Sequence, residues 1–270
     1  MAAARAQTAW WTQPAALGDQ PHYLSIRDHI VRRIQSGDLP AGAKLPSERQ
    51  LQTGAGIARG TIREALFQLE AEGQIYRRDR SGWYVSPAPI IYDPTRWAGF
   101  MTYVSEQGRI PATTTLVAEL APAPPAAAEV FGVEVGAPLY ALRRRRSIDG
   151  RPVLIEDIQV SPALAPGLLR FPLDGSLTQI LKREYGVSVA RNRVDMWPCA
   201  LTKAEASALA AKPGTPGLVV VRTSFDAAGR VVEYDREYWR HDAMRIHVDT
   251  RVPPNAGDDA QPPSAARPRP

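Results

Sequence analysis

Leu45-Pro46-Ser47-Glu48-Arg49, then Arg59-Gly60-Thr61-Ile62-Arg63-Glu64-Ala65-Leu66, then Leu69-Glu70-Ala71-Glu72-Gly73: the fold of the first third of the chain turns on this stretch. Ser47 stands three residues before Gln50, the spacing of a capping box at a helix start. Beyond Gly60, residues Ile62, Ala65, Leu66 and Leu69 fall at i, i+3, i+4 and i+7, one apolar face of a helix that Gly73 ends. Upstream, Tyr23, Ile26, Ile30, Val31 and Ile34 recur at helical spacing, with Gly37 as the stop. Downstream, Ile75-Tyr76-Arg77-Arg78 and Trp83-Tyr84-Val85 flank Asp79-Arg80-Ser81-Gly82, which predicts a hairpin.

Three short helices followed by a hairpin outline a winged helix-turn-helix. The third helix turns Arg59, Thr61 and Arg63 away from its apolar face, near the end that enters the major groove in such units. Arg can grip guanine O6 and N7 with two hydrogen bonds, and Thr can donate to phosphate or touch a thymine methyl. Arg49 at the start of helix two, Lys44 before it, and Arg77, Arg78 and Arg80 in the hairpin suit phosphates. A solvated face of an ordinary helix would explain any one of these arginines, but not the ordered set. The run Gly54-Ala55-Gly56-Ile57-Ala58-Arg59-Gly60 imitates a dinucleotide-binding loop. Its third glycine is one residue late and a helix precedes it, whereas that loop needs a strand before it.

The 270 residues exceed one minimal module. Residues 1–20 (Ala/Gln/Thr-rich) and 253–270 (six prolines) read as disordered tails. Ser86-Pro87-Ala88-Pro89 marks a break, giving a DNA-binding unit over 21–87, a linker over 88–93 and a larger unit over 94–252. Thirty-three Lys plus Arg stand against 28 Asp plus Glu, a formal net charge of +5 and a mild bias toward polyanionic partners. The single cysteine, Cys199, excludes an internal disulfide framework and a Cys-built zinc site, and four scattered histidines argue against a metal centre. No apolar run reaches membrane-spanning length and the N-terminus lacks a secretory pattern, so a cytoplasmic, nucleoid-associated protein without cofactor is expected.

In the larger unit, residues 113–120, 139–148, 153–160, 218–225 and 231–239 are β-prone, while 177–185 and 203–211 have helical character. Asp149-Gly150 and Ala228-Gly229 favour hairpins, hence antiparallel pairing and an α+β class. Side chains alternate faces along a strand. Arg144 and Arg146 therefore share a face with Tyr140 and Leu142, and Glu156 shares one with Leu154 and Ile158. Unpaired buried charge is costly. Either a bound anion with a polar remainder occupies this face, or Arg144 simply pairs with Glu156 while Arg146 reaches water.

The quoted stretch, with Ser36-Gly37, Leu39-Pro40, Gly42 and the turn at Gly82, closely resembles the GntR family of bacterial transcription regulators. The resemblance implies DNA contacts at Arg49, Arg59, Thr61, Arg63 and Gly82. It departs at Ala58, where the family commonly caps the reading helix with Ser. The larger unit resembles the UTRA effector-binding domain of the HutC subfamily, whose fold is like chorismate lyase, through Arg144, Arg146, Asp149-Gly150, Pro152, Glu156 and Val232-Glu233-Tyr234. That resemblance implies an antiparallel-sheet domain holding an effector with Thr102, Arg144, Arg146, Glu156, Glu233 and Trp239; Tyr is usual at position 239. It further implies a homodimer on inverted-repeat operator DNA, most often a repressor, released by a small anion such as a phosphonate, sugar phosphate or carboxylate. The wing 81–87 and the Tyr92-Asp93-Pro94-Thr95 linker resemble the phosphonate-utilisation branch and suggest 2-aminoethylphosphonate. The competing class is an enzyme of lyase-like fold tethered to DNA, against which stands the lack of any Ser/His/Asp, Cys/His or metal-ligand set.

Overall fold

The computed structural model describes residues 22–250 except 79, 80 and 97. Arg80, one expected phosphate contact, and the two terminal tails lie outside the described residues. Helices α1 (His22–Gln35), α2 (Glu48–Ala55) and α3 (Arg59–Ala71) and strands β1 (Ile75–Arg78) and β2 (Gly82–Val85) build the first unit. Ile26, Ile30, Leu51, Ile62, Leu66 and Leu69 form its core, joined by Trp83 and Val85 from the hairpin. The apolar spacing read along α1 and α3 is the face that this core buries. Ser47 caps α2 as a reciprocal box: its Oγ accepts from the Gln50 amide, and its own amide donates to Gln50 Oε1 at 2.9 Å. Ala58 leaves α3 with no side-chain cap.

The second unit is a six-stranded antiparallel sheet in the order β4-β5-β6-β9-β8-β7. Its strands are β4 (Pro111–Pro122), β5 (Pro138–Ile148), β6 (Arg151–Val160), β7 (Arg191–Ala200), β8 (Pro216–Phe225) and β9 (Val231–Arg240). The β5–β6 turn has Asp149 at φ +50° and Gly150 at φ +75°, the left-handed pair a tight hairpin requires. Asp149 is further held by the Ile110 amide and by Arg109. Helices α4 (Phe100–Ser105), α5 (Pro125–Phe131), α6 (Leu177–Tyr185) and α7 (Lys203–Ala208) complete the unit. Phe100 and Val104 of α4 pack with Leu154, Val220 and Trp239, while Leu177, Ile180 and Leu181 of α6 pack with Leu142, Ile158 and Val232.

The stretch expected to act only as a linker contains a strand. β3 (Ile90–Tyr92) pairs in parallel with β10 (Met244–Ile246), which follows the last sheet strand. The two units also touch directly. Ser86 Oγ donates to Asp242 Oδ2 at 3.0 Å, and His241 Nε2 lies 2.5 Å from the Glu70 carbonyl oxygen. The guanidinium of Arg151 lies 4.0 Å from the centre of the Tyr76 ring. No described helix is long and apolar enough to cross a membrane.

Candidate DNA-reading surface and ligand cleft

The residues expected to meet DNA stand at the starts of α2 and α3 and beside or within the β1–β2 hairpin. Arg49, Arg59 and Arg63 are exposed, and Thr61 is half-buried beside them. Glu48, at the start of α2, lies 3.4 Å from Arg59 and 4.0 Å from Arg63, tying the two helices where their basic ends meet. Such exposed pairs are weak and easily exchanged for phosphate. Arg63 also lies over the Phe67 ring. Beside the hairpin, Lys44 forms a bridge to Tyr84 and holds its ammonium 5.9 Å from that ring, while Arg78 covers the same ring. Gly82 sits at φ +105° opposite Arg78, so its part is to let the hairpin turn. Glu48 and Tyr84 were not singled out from the sequence.

In the second unit, strand register places Arg144 directly opposite Glu156 and Glu156 opposite Glu237. One cleft of about 460 Å³, counted to its open mouth, gathers Arg144 and Arg146 from β5, Glu156 from β6, Arg222 from β8, and Glu233, Asp235 and Glu237 from β9. The simple pairing of Arg144 with Glu156, with Arg146 left to water, does not hold. Glu156 Oε1 lies 2.5 Å from Arg144 Nε and 2.8 Å from Arg146 Nε, so one carboxylate serves two guanidiniums. Arg144 also donates to the Leu173 and Gly175 carbonyls through Nη1, and Arg146 donates to Thr113 Oγ1. None of these bonds uses Nη2 of either arginine. Burial pushes the Glu156 carboxyl up, but Arg146 and Arg144 outweigh it and hold it below the usual range. Arg143 faces the other way, 3.6 Å from Asp157.

Two expected lining residues are placed elsewhere. Thr102 is on the exposed side of α4, and it is Gly99, Phe100, Met101 and Tyr103 that reach the cleft. The short α4 turns only one side toward the sheet, and position 102 falls off it. Trp239 is fully buried and outside the lining; its Nε1 donates to Glu237 Oε2 at 2.6 Å. Glu237 in turn accepts from Arg222 at 2.8 Å, and Arg222 donates to the Tyr92 hydroxyl of β3 at 3.0 Å. Unexpected lining comes from Ser176, Leu177 and Thr178 at the N-terminus of α6. Ser176 caps that helix by accepting from the Gln179 amide, and amides at such an end suit anions. Asp235 and Glu237 were also missed. The alternation that exposed Arg144 and Arg146 marks them too, since they share the odd-numbered face of β9 with Glu233.

A basic helix end shaped for duplex DNA and an inward-facing charged cleft shaped for a small molecule define a DNA-binding regulator with a sensing domain. Comparison with known proteins agrees. Residues 22–85 match the family "Bacterial regulatory proteins, gntR family", and residues 106–245 match the UTRA domain. The HTH-type transcriptional regulator YihL of Escherichia coli (strain K12) is 29% identical over 226 residues, spanning 83% of this chain and 96% of that protein. The HTH-type transcriptional repressor NagR of Bacillus subtilis (strain 168) is 26% identical, with 86% and 96% covered. The crystal structure of PhnF from Mycobacterium smegmatis superposes with a TM-score of 0.59 at 26% identity, covering 84% of this chain and 100% of that one. The chain belongs to the GntR family, among the HutC-type regulators that join a winged helix-turn-helix to a UTRA domain. It is a DNA-binding transcription regulator, and not an enzyme.

Proposed function

We propose that the protein represses transcription as a homodimer on an inverted-repeat operator and is released by a small anionic metabolite held in the UTRA cleft. The observation that carries this reading is the pair of buried guanidiniums, Arg144 and Arg146, sharing the single carboxylate of Glu156. One positive charge at that end is left for an anion, and the free Nη2 groups with the α6 amides supply directed donors. Arg144, Arg146 and Glu156 hold the ligand, Glu233 meets its polar remainder, and Trp239 acts through Glu237.

Lys44, Arg49, Arg59, Thr61 and Arg63 contact the operator, with Gly82 shaping the wing. Exposed apolar residues on the edge strands, Leu116, Val117 and Leu120 of β4 and Trp197 of β7, support dimerisation through the sheet domain. A two-fold dimer matches a palindromic site with half-sites about one turn, ~10 bp, or a multiple apart.

The similarity to PhnF and the wing resemblance support a phosphonate over a sugar phosphate or carboxylate. The test is thermal denaturation of the full chain with a panel of all three classes. A true effector at 100 times its Kd adds about 2.7 kcal/mol of stability without being consumed. No stabilisation by any anion, or turnover of one, would sink the reading.

A further inference from the structure

The cleft holds more carboxyls than guanidiniums. Three guanidiniums (Arg144, Arg146, Arg222) face four carboxylates (Glu156, Glu233, Asp235, Glu237). Glu156 is taken by Arg144 and Arg146, and Glu237 by Arg222 and Trp239. Among the described residues, no ion pair or hydrogen bond engages the carboxylate of Glu233 or of Asp235. Asp235 is only 2% exposed, lines the cleft, and leaves Oδ1 without any hydrogen-bond partner. A buried polar atom left in that state is destabilising until a donor reaches it.

Resting on the cleft reading above, we propose that the effector carries a cationic amine as well as its anion, and that Asp235, with Glu233 beside it on β9, is the group that selects the amine. Arg144 and Arg146 sit on β5 and Asp235 on β9, with β6 between; on the β9 side Arg222 of β8 lies opposite Asp235 but is taken by Glu237 and the Tyr92 hydroxyl. A purely anionic ligand would answer the β5 side and worsen the β9 side. An ammonium brings three donors and one positive charge, which satisfies Oδ1 and balances the carboxylates. Burial, then Glu237, Glu156 and Glu233, push the Asp235 carboxyl well above the usual range, the condition of a carboxyl short of cationic partners. Burial likewise raises Glu233.

The test measures Kd by calorimetry on the full chain for three pairs that differ only in the amine: 2-aminoethylphosphonate and ethylphosphonate, 2-aminoethyl phosphate and ethyl phosphate, β-alanine and propionate. In whichever pair binds, the amine-bearing member should bind at least tenfold tighter. Asp235→Asn should bring that ratio close to one, and Glu233→Gln should reduce it less. Equal affinity within every pair that binds would overturn the amine assignment and leave the anion cleft standing. A ratio untouched by Asp235→Asn would overturn the role of Asp235. Binding by none of the six while an amine-free sugar phosphate stabilises the chain would overturn the amine assignment and leave the cleft reading standing; stabilisation by no anion at all would overturn both.

Discussion

Neighbouring residues on one strand can have opposite fates, and here the difference decides what each side chain is for. Arg144 and Arg146 are buried against Glu156, whereas Arg143 and Arg145 lie on the far face of β5. A one-residue slip would exchange the two sets. This was legible in the sequence because the even-numbered positions from Tyr140 to Ile148 fall on one face of the strand, the face that the fold buries. The fate of Trp239 was not: its indole leaves the lining to hold Glu237, two residues back on the same face of β9, and alternation alone does not say whether an indole on that face meets a ligand or its strand neighbour. At the same scale, Arg63→Ala should lose about 1–3 kcal/mol at one base pair of a selected operator and relax specificity there. Competition binding with single-base operator variants measures it, and wild-type specificity would show that α3 is not the reader. Arg146→Lys should restore only part of the ligand response lost in Arg146→Ala, because an ammonium lacks the planar fork.

Elements that stand on local chemistry were readable, and those that depend on distant partners were not. α1, α3 and α6 announce themselves by apolar period, and α2 by its Ser47–Gln50 box. β7 escaped because Arg191, Arg193, Asp195 and Pro198 interrupt any β-prone run; it is an edge strand, where proline and charge are tolerated. β3 and β10 are three residues each and more than 150 positions apart, so nothing local signals their pairing. The reading helix carries a correctable defect, since Ala58 offers no cap. Ala58→Ser should stabilise the protein by about 1 kcal/mol, raising Tm by about 2–4 °C. An unchanged or lower Tm in a thermal melt would show that the α3 start is satisfied in another way.

Across the whole molecule, β9 leads from the ligand cleft to the DNA-binding unit. Glu233, Asp235 and Glu237 line the cleft, and the residues that follow, from Arg240 to Asp242, meet the first unit around Gly73, Tyr76 and Ser86. Asp242 is the joint: Oδ2 lies 2.5 Å from Arg151 Nη2, and Oδ1 accepts from Arg240 Nε at 3.2 Å. Burial pushes its carboxyl up, but Arg151 and Arg240 outweigh it and hold it below the usual range. A lowered folded value means that its stabilisation is in place above the unfolded carboxylate's pKa, about 3.9, and is lost as pH falls through the lower folded value. Asp242→Asn should therefore cost about 3–5 kcal/mol at neutral pH, as for a buried pair broken on one side. Denaturant titrations from pH 7 to pH 3 should show the deficit constant down to about pH 5 and shrinking below that. A deficit independent of acid would assign the loss to packing. A second connection runs from Arg222 in the cleft to the Tyr92 hydroxyl of β3, and so to the β3–β10 pair.

On the proposed function, an inward-facing arginine pair senses a ligand on behalf of a DNA-binding unit. The most direct measurement is fluorescence anisotropy on an operator selected from random duplexes, with and without the tightest-binding anion, for wild type, Arg145→Ala and Arg146→Ala. Wild type and Arg145→Ala should both lose at least tenfold in operator affinity, about 1.4 kcal/mol, when the anion is added. Arg146→Ala should bind the operator and ignore the anion. Equal loss of response at Arg145 and Arg146, or a full response in Arg146→Ala, would contradict the account.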